Sequence, residues 1–278
     1  MIMNGKELSL KIKENLKKEV EKLDPKPSLV VIQVGEDPAS SIYVNSKAKL
    51  AREIGYEFEH AKFDENVTEE ELIKKIEYIN ASDRINGVIV QLPIPKHLDA
   101  NKIINKIDPT KDIDGLTELN AGKLLTSKAS LVSCTPKGII TLLKEYNVEF
   151  TGKHVVIVGR SNLVGKPLIG LCLNENATVT VCHSKTKDLA KVTKKADILI
   201  VAIGKAKLIT ADYVRKGAVV VDVGINRVDG KLYGDVDFDS VSKKARLITP
   251  VPGGVGPMTT ISLMENVLVS YNEMKKRG

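Results

Sequence analysis

The 278-residue sequence contains no tryptophan, three cysteines and four histidines. Cys134, Cys172 and Cys182 show neither C-x-x-C spacing nor an even count, which fits a reducing compartment and suggests no disulfide framework. His60, His97, His154 and His183 are scattered without ligand spacing, so no metal site is expected. No apolar run reaches the roughly 18 residues of a membrane span. The N-terminal MIMNGKELSLKIKENLKKEV enters an amphipathic pattern without a secretory apolar stretch, so a cytoplasmic address is expected and no membrane partner. A basic block with interleaved aromatics is also missing. The excess of 42 Lys and Arg over 35 Asp and Glu, a formal charge of +7, is spread along the chain. That argues against nucleic acid as a partner and suits an acidic small molecule.

What is present is the composition of an ordinary globular protein, 42% hydrophobic and 28% charged, in a chain long enough for two cores. Leu8, Ile12, Leu16 and Val20 recur every four residues and predict an amphipathic helix. SLVVIQVG at 28–35 and GVIVQLP at 87–93 read as buried strands, and YEFEHAKF at 56–63 as another strand. Helices are expected over about 39–54 and around Leu72, Ile76 and Ile79. The second half repeats the alternation in HVVIVG, ATVTVCHS, DILIVAIG, AVVVDVG and RLITPVP, before a periodic run from about Pro257 to Met274. Strands alternating with helices predict parallel sheets in an α/β fold. The second half has the spacing of a doubly wound sheet, whose ligands bind beyond the carboxyl ends of its strands. The polar NVEFTGK at 147–153 marks the expected boundary, giving domains of 1–148 and 149–257, with the helix from about 258 to 278 after them.

Several stretches carry candidate chemistry. In SSIYVNSKAK, Tyr43 and Lys47 stand four apart, so a phenol and an ammonium project from one helix face. GRSNLVGKP at 159–167 follows a strand and opens a helix, as a dinucleotide-binding turn must, although Ser161 and Val164 replace two glycines of the usual fingerprint and Gly165 comes one residue late. The next strand ends in Cys182-His183-Ser184-Lys185 and not in the carboxylate that holds a ribose 2′-hydroxyl. Arg160 and Ser184 are suited to a 2′-phosphate instead, which favours NADP. VQLPIP puts Gln91 at a strand end, where its amide could orient an ammonium. KDIDGL presents Asp112 and Asp114 before a glycine turn that carboxylates often merely cap. CTPKG reads as a helix start with Thr135 as N-cap. PGGVGPMT has more glycine than a turn needs, which suggests close backbone approach to a ligand.

In this order, the seven motifs SSIYVNSKAK, VQLPIP, KDIDGL, CTPKG, GRSNLVGKP, CHSKT and PGGVGPMT resemble the bifunctional methylenetetrahydrofolate dehydrogenase/methenyltetrahydrofolate cyclohydrolase family over essentially the whole chain. The resemblance implies an N-terminal α/β catalytic domain and a Rossmann-like NADP-binding domain, with the C-terminal helix packing back on the first domain. It implies NADP-dependent oxidation of 5,10-methylenetetrahydrofolate and hydrolysis of the methenyl product to 10-formyltetrahydrofolate in one cleft. Carried onto this sequence, Tyr43 stacks on the folate ring system, Lys47 is the catalytic lysine, Gln91 orients it and Asp114 bonds the donor edge of the pterin. Gly159, Arg160, Ser161, Gly165, Ser184 and Ile225 are implied around the dinucleotide, and Pro252, Gly253 and Gly254 at the substrate. A homodimer formed through the second domain is implied as well.

Two other classes compete. The YxxxK spacing also belongs to short-chain dehydrogenases, but there the glycine turn comes first, whereas Tyr43 precedes Gly159 here. A catalytically silent dinucleotide sensor would not need Lys47, Gln91 and Asp114 together. A monofunctional dehydrogenase of the same family stays open at this level.

Overall fold

The computed structural model describes residues 1–276. The chain divides into two compact units, one of Met1–Leu10 with Thr135–Ser262 and one of Lys11–Cys134 with the chain from Leu263 onward. Each unit has its own parallel sheet.

In the unit built on residues 11–134, helix α1 (Gly5–Val20), which begins in the other unit, leads to strand β1 (Ser28–Val34), helix α2 (Pro38–Ile54), strand β2 (Glu57–Phe63), helix α3 (Glu69–Ala81) and strand β3 (Gly87–Val90). The short helices α4 (Ala100–Ile104) and α5 (Glu118–Leu125) follow. The sheet order is β2-β1-β3, all parallel. As the central strand, β1 is buried on both faces, which explains its unbroken apolar run, while the edge strand β2 alternates. Val30, Ile32, Val88 and Val90 pack with Leu72 and Ile76 of α3. Helix α2 starts where Asp37 accepts a hydrogen bond from the Ser40 amide at 2.7 Å, and it stops at left-handed Gly55.

The other unit continues with α6 (Cys134–Glu145), β4 (His154–Val158), α7 (Gly165–Asn174), β5 (Thr178–Cys182), α8 (Leu189–Thr193), β6 (Ile198–Val201) and β7 (Val219–Asp222). A hairpin of β8 (Asn226–Val228) and β9 (Lys231–Tyr233) precedes α9 (Phe238–Val241), the two-residue β10 (Leu247–Ile248) and α10 (Val255–Lys275). The sheet is parallel in the order β10-β7-β6-β4-β5. β5 lies on one side of β4 and β6 on the other, so the winding reverses at β4 and leaves a crevice beyond the carboxyl ends of β4 and β6. Helix α6 begins at Cys134 and not after Thr135, so Thr135 is not the N-cap. Its hydroxyl bonds that of Thr259 at 2.9 Å instead.

The later half of α10 packs on the β2-β1-β3 unit, as expected. The Asn266 amide donates to the carbonyls of Ile113 and Val132 at 2.8 and 2.9 Å, the Tyr56 hydroxyl donates to Met264 O at 2.9 Å, and Tyr271 donates to Pro25 O at 2.9 Å. Fully buried Asn266 thus satisfies two loop carbonyls that would otherwise be costly to bury.

Candidate active site

Helix α2 follows the carboxyl end of β1, and Gln91 follows that of β3, so two neighbouring strands deliver their side chains to the same edge of the sheet. The Lys47 ammonium donates to Gln91 Oε1 at 2.8 Å. Gln91 is 9% exposed, and its Nε2 donates to Leu92 O at 2.7 Å, which assigns the amide and turns the oxygen toward the lysine. Lys47 is half-buried, whereas Tyr43, one turn earlier, is 55% exposed and presents a flat ring to solvent. Asp114 is half-buried near them. Burial pushes its carboxyl above the ordinary value, while the charge of Lys47 pulls it down, Asp112 raises it and the Cys134 thiol lowers it. Its neighbour Asp112 serves the backbone: the carboxylate accepts from the amides of Leu116 and Thr117 at 3.1 and 2.8 Å and from Asn120 Nδ2 at 2.9 Å. The turn-capping role weighed for both carboxylates therefore falls to Asp112.

Ser40 was not singled out in the sequence. It is 3% exposed and lies three and seven residues before Tyr43 and Lys47, on their face of α2. Its presence in SSIYVNSKAK was the available signal. Gln33 was also missed. This buried amide in an apolar strand donates to Ser41 Oγ at 3.0 Å and Gly35 O at 3.2 Å, and its Oε1 meets His60 Nε2 at 3.0 Å. Gln33 therefore ties β1 to the first turn of the helix that carries Tyr43 and Lys47.

In the other unit the turn after β4 is built by close approach. A Cβ on Gly159, whose φ is +128°, would lie 2.2 Å from Ala202 O, and one on Gly165 would lie 2.2 Å from Gly159 O. Gly165, late by the usual fingerprint, thus lets the start of α7 rest against the β4 turn. Ser161 Oγ accepts from the Val164 amide at 3.2 Å. Val158 pairs with Cys182, so Arg160 and Ser184 each stand two residues beyond a matched pair, and both are exposed. His183 shapes the turn after β5, with Nδ1 accepting from the Lys185 amide at 3.1 Å. Ile225, 55% exposed, lines a cavity of about 140 Å³ with Pro252, Gly253 and Gly254. Two larger depressions, about 380 and 560 Å³, open at the amino ends of the strands and contain none of these residues.

Family models match both parts of the chain: tetrahydrofolate dehydrogenase/cyclohydrolase, catalytic domain, over residues 3–114, and its NAD(P)-binding domain over residues 133–275. The chain belongs to the tetrahydrofolate dehydrogenase/cyclohydrolase family. It is 52% identical over 274 residues to the bifunctional protein FolD of Bacillus anthracis, covering 97% of this chain and 96% of that one. The crystal structure of the bifunctional FolD from Campylobacter jejuni matches with a TM-score of 0.96 at 46% identity, covering 100% and 99% of the two chains. The Trypanosoma brucei methylenetetrahydrofolate dehydrogenase-cyclohydrolase, solved with NADP and an inhibitor, matches with a TM-score of 0.94 at 35% identity, again over 100% and 99%. This family member is an enzyme of one-carbon metabolism with an NAD(P)-binding domain.

Proposed function

We propose that the chain oxidises 5,10-methylenetetrahydrofolate with NADP and hydrolyses the methenyl product to 10-formyltetrahydrofolate, with Tyr43 and Asp114 at the folate. The observation that carries the residue assignment is the 2.8 Å bond from Lys47 to an amide whose orientation is itself held. Oxidation leaves a cationic methenyl bridge; water adds to it, a proton leaves and the ring opens. Such a reaction needs a flat face to fix the substrate and a positioned group to handle protons. Tyr43 offers the first and Lys47 the second, as base or as electrostatic anchor. Asp114 supplies acceptors for the donor edge of the pterin.

The residues around the β4 turn fit NADP. Gly159 lets backbone approach a pyrophosphate, the start of α7 offers amide donors, and Arg160 and Ser184 meet a 2′-phosphate with no carboxylate ending β5. When bound, the cofactor accepts the hydride. The folate-binding part is read as residues 1–148 with the helix from about 258, and the NADP-binding part as 149–257. We also read the protein as a cytoplasmic homodimer that binds no nucleic acid. β5 is an edge strand with free backbone groups for a second copy. No helix among the described residues is long and apolar enough to cross a membrane. Sedimentation of the purified chain should give twice its mass; a monomer at working concentration would end the dimer reading. Following NADPH, methenyl and formyl products in one sample tests the function. NADPH without enzyme-accelerated formyl product would leave a monofunctional dehydrogenase, and neither product would favour the silent sensor.

A further inference from the structure

Two carboxylates in the cofactor unit have no part in the chemistry above. Asp222 ends β7 at 3% exposure, and Asp235, just after β9, is fully buried. Asp235 accepts from three successive backbone amides, Ile203 at 2.6 Å, Gly204 at 3.0 Å and Lys205 at 2.7 Å, and from Asn226 Nδ2 at 2.9 Å. Asp222 accepts from the amides of Gly224 at 3.0 Å, Asp235 at 2.8 Å and Val236 at 2.9 Å. The surrounding chain leaves room for both groups. A Cβ on Gly224 would lie 2.3 Å from the Asp235 carboxyl, and one on Gly234 would lie 1.8 Å from Asp222 Oδ2.

The amides of Ile203, Gly204 and Lys205 belong to the turn that follows β6 and that of Gly224 to the turn that follows β7, while those of Asp235 and Val236 come just after β9. The first turn begins at Ala202, whose carbonyl abuts Gly159 in the proposed pyrophosphate turn. The second carries Ile225 into the small cavity that Asp222 also lines. Both lie at the carboxyl ends of the strands, and the first flanks the crevice where a doubly wound sheet receives its ligand. A dinucleotide is anionic, so by Coulomb's law alone two buried carboxylates beside it weaken binding. Their contribution has to come through the amides. A carboxylate can accept from several N–H groups at once, whereas an amide side chain would set an NH₂ donor against at least one of them.

We propose that Asp222 and Asp235 are positioning residues for the dinucleotide, holding the turns after β6 and β7 in the shape that admits it against an unfavourable charge. The inference rests on the assignment of NADP to this unit. It gives opposite signs for Asp235→Asn: electrostatics alone predicts tighter NADP binding, positioning predicts weaker.

The test is NADP titration by calorimetry of the full chain and its Asp235→Asn variant, with steady-state kinetics of both activities. The variant should lose roughly 10-fold or more in NADP affinity, the scale of one charge-assisted bond. KM for NADP should rise in step while kcat at saturation holds, and methenyl hydrolysis without NADP should be unchanged. Equal or tighter NADP binding would overturn the proposal, as would a parallel loss of kcat and hydrolysis. Failure of the unaltered chain to bind NADP would instead overturn the cofactor assignment, and this inference with it. Should Asp235→Asn not fold, amide exchange in the unaltered chain without NADP decides. The amides of Ile203, Gly204, Lys205 and Gly224 should be protected relative to those of the Asp229–Gly230 turn, and equally fast exchange would overturn the proposal.

Discussion

At the scale of single residues, the site depends on which polar partner each charge has. Lys47 is held by an oriented amide and not by a carboxylate, so its ammonium stays available to a substrate. Replacing Lys47 by Met keeps the apolar stem and helix propensity and deletes the charge, so thermal stability should change little. Methenyl hydrolysis should fall by the roughly 10²- to 10⁴-fold typical of a lost acid or base. NADP affinity should hold; undiminished hydrolysis would return Lys47 to the role of a solvated helix residue. Arg160 is exposed beyond β4, level with Ser184 across a matched strand pair. Arg160→Ala should raise KM for NADP by about 10- to 150-fold, the worth of a charge-assisted bond. KM for NAD should move far less, and equal shifts would exclude Arg160 from the phosphate site.

At the scale of elements, the start of α7 is placed by the absence of a side chain. A methyl group at Gly165 would meet the Gly159 carbonyl at 2.2 Å, so Gly165→Ala must displace either the helix start or the β4 turn. Backbone shifts of this kind cost about 1–3 kcal/mol. NADP affinity should therefore drop and the melting temperature with it, while hydrolysis in the absence of NADP persists. Wild-type NADP affinity in this variant would show that the turn does not need its observed shape. Helix α2 has a complementary support in the Gln33 amide, which bonds the first turn, and in the Asp37 cap. Such ties place Tyr43 and Lys47 on a rigid element and not on a loop.

At the scale of the whole molecule, buried acids give stability a pH dependence of unusual sign. Burial, reinforced by Asp235 and opposed by backbone hydrogen bonds, pushes Asp222 up to about 6 from its ordinary value of 3.8. In that interval the folded chain holds a proton that the unfolded chain has released, so this contribution to stability falls as pH rises from about 4 to about 6 and is flat above. His60 acts oppositely just below neutrality. Its value is lowered by burial and by Lys62, so unfolding takes up a proton as pH falls below its ordinary 6.5. Urea unfolding across this range should show a falling Asp222 component that Asp222→Asn removes. An identical pH slope in the two proteins would mean that Asp222 ionises normally in the folded chain.

Local chemistry made much of this molecule legible in its sequence. Unbroken apolar runs marked β1, β4, β6 and β7, four-residue periodicity marked α1 and α3, and the YxxxK spacing and the glycine turn marked the candidate chemistry, because each signal lies within a few neighbouring residues. The hairpin β8–β9 and the short helices α4, α5, α8 and α9 escaped, being too short and polar for a period to show. Long-range pairing was decided only by the tertiary structure: Gln91 on Lys47 across 44 residues, Asn266 on the loop carbonyls of Ile113 and Val132, and Asp235 on three amides some 30 residues earlier. In the sequence the aspartates of KDIDGL read as turn residues and nothing sets Asp235 apart. Only the folded backbone determines which amides surround a carboxylate, and so whether it caps a turn, faces a substrate or gathers the loops of a cofactor site.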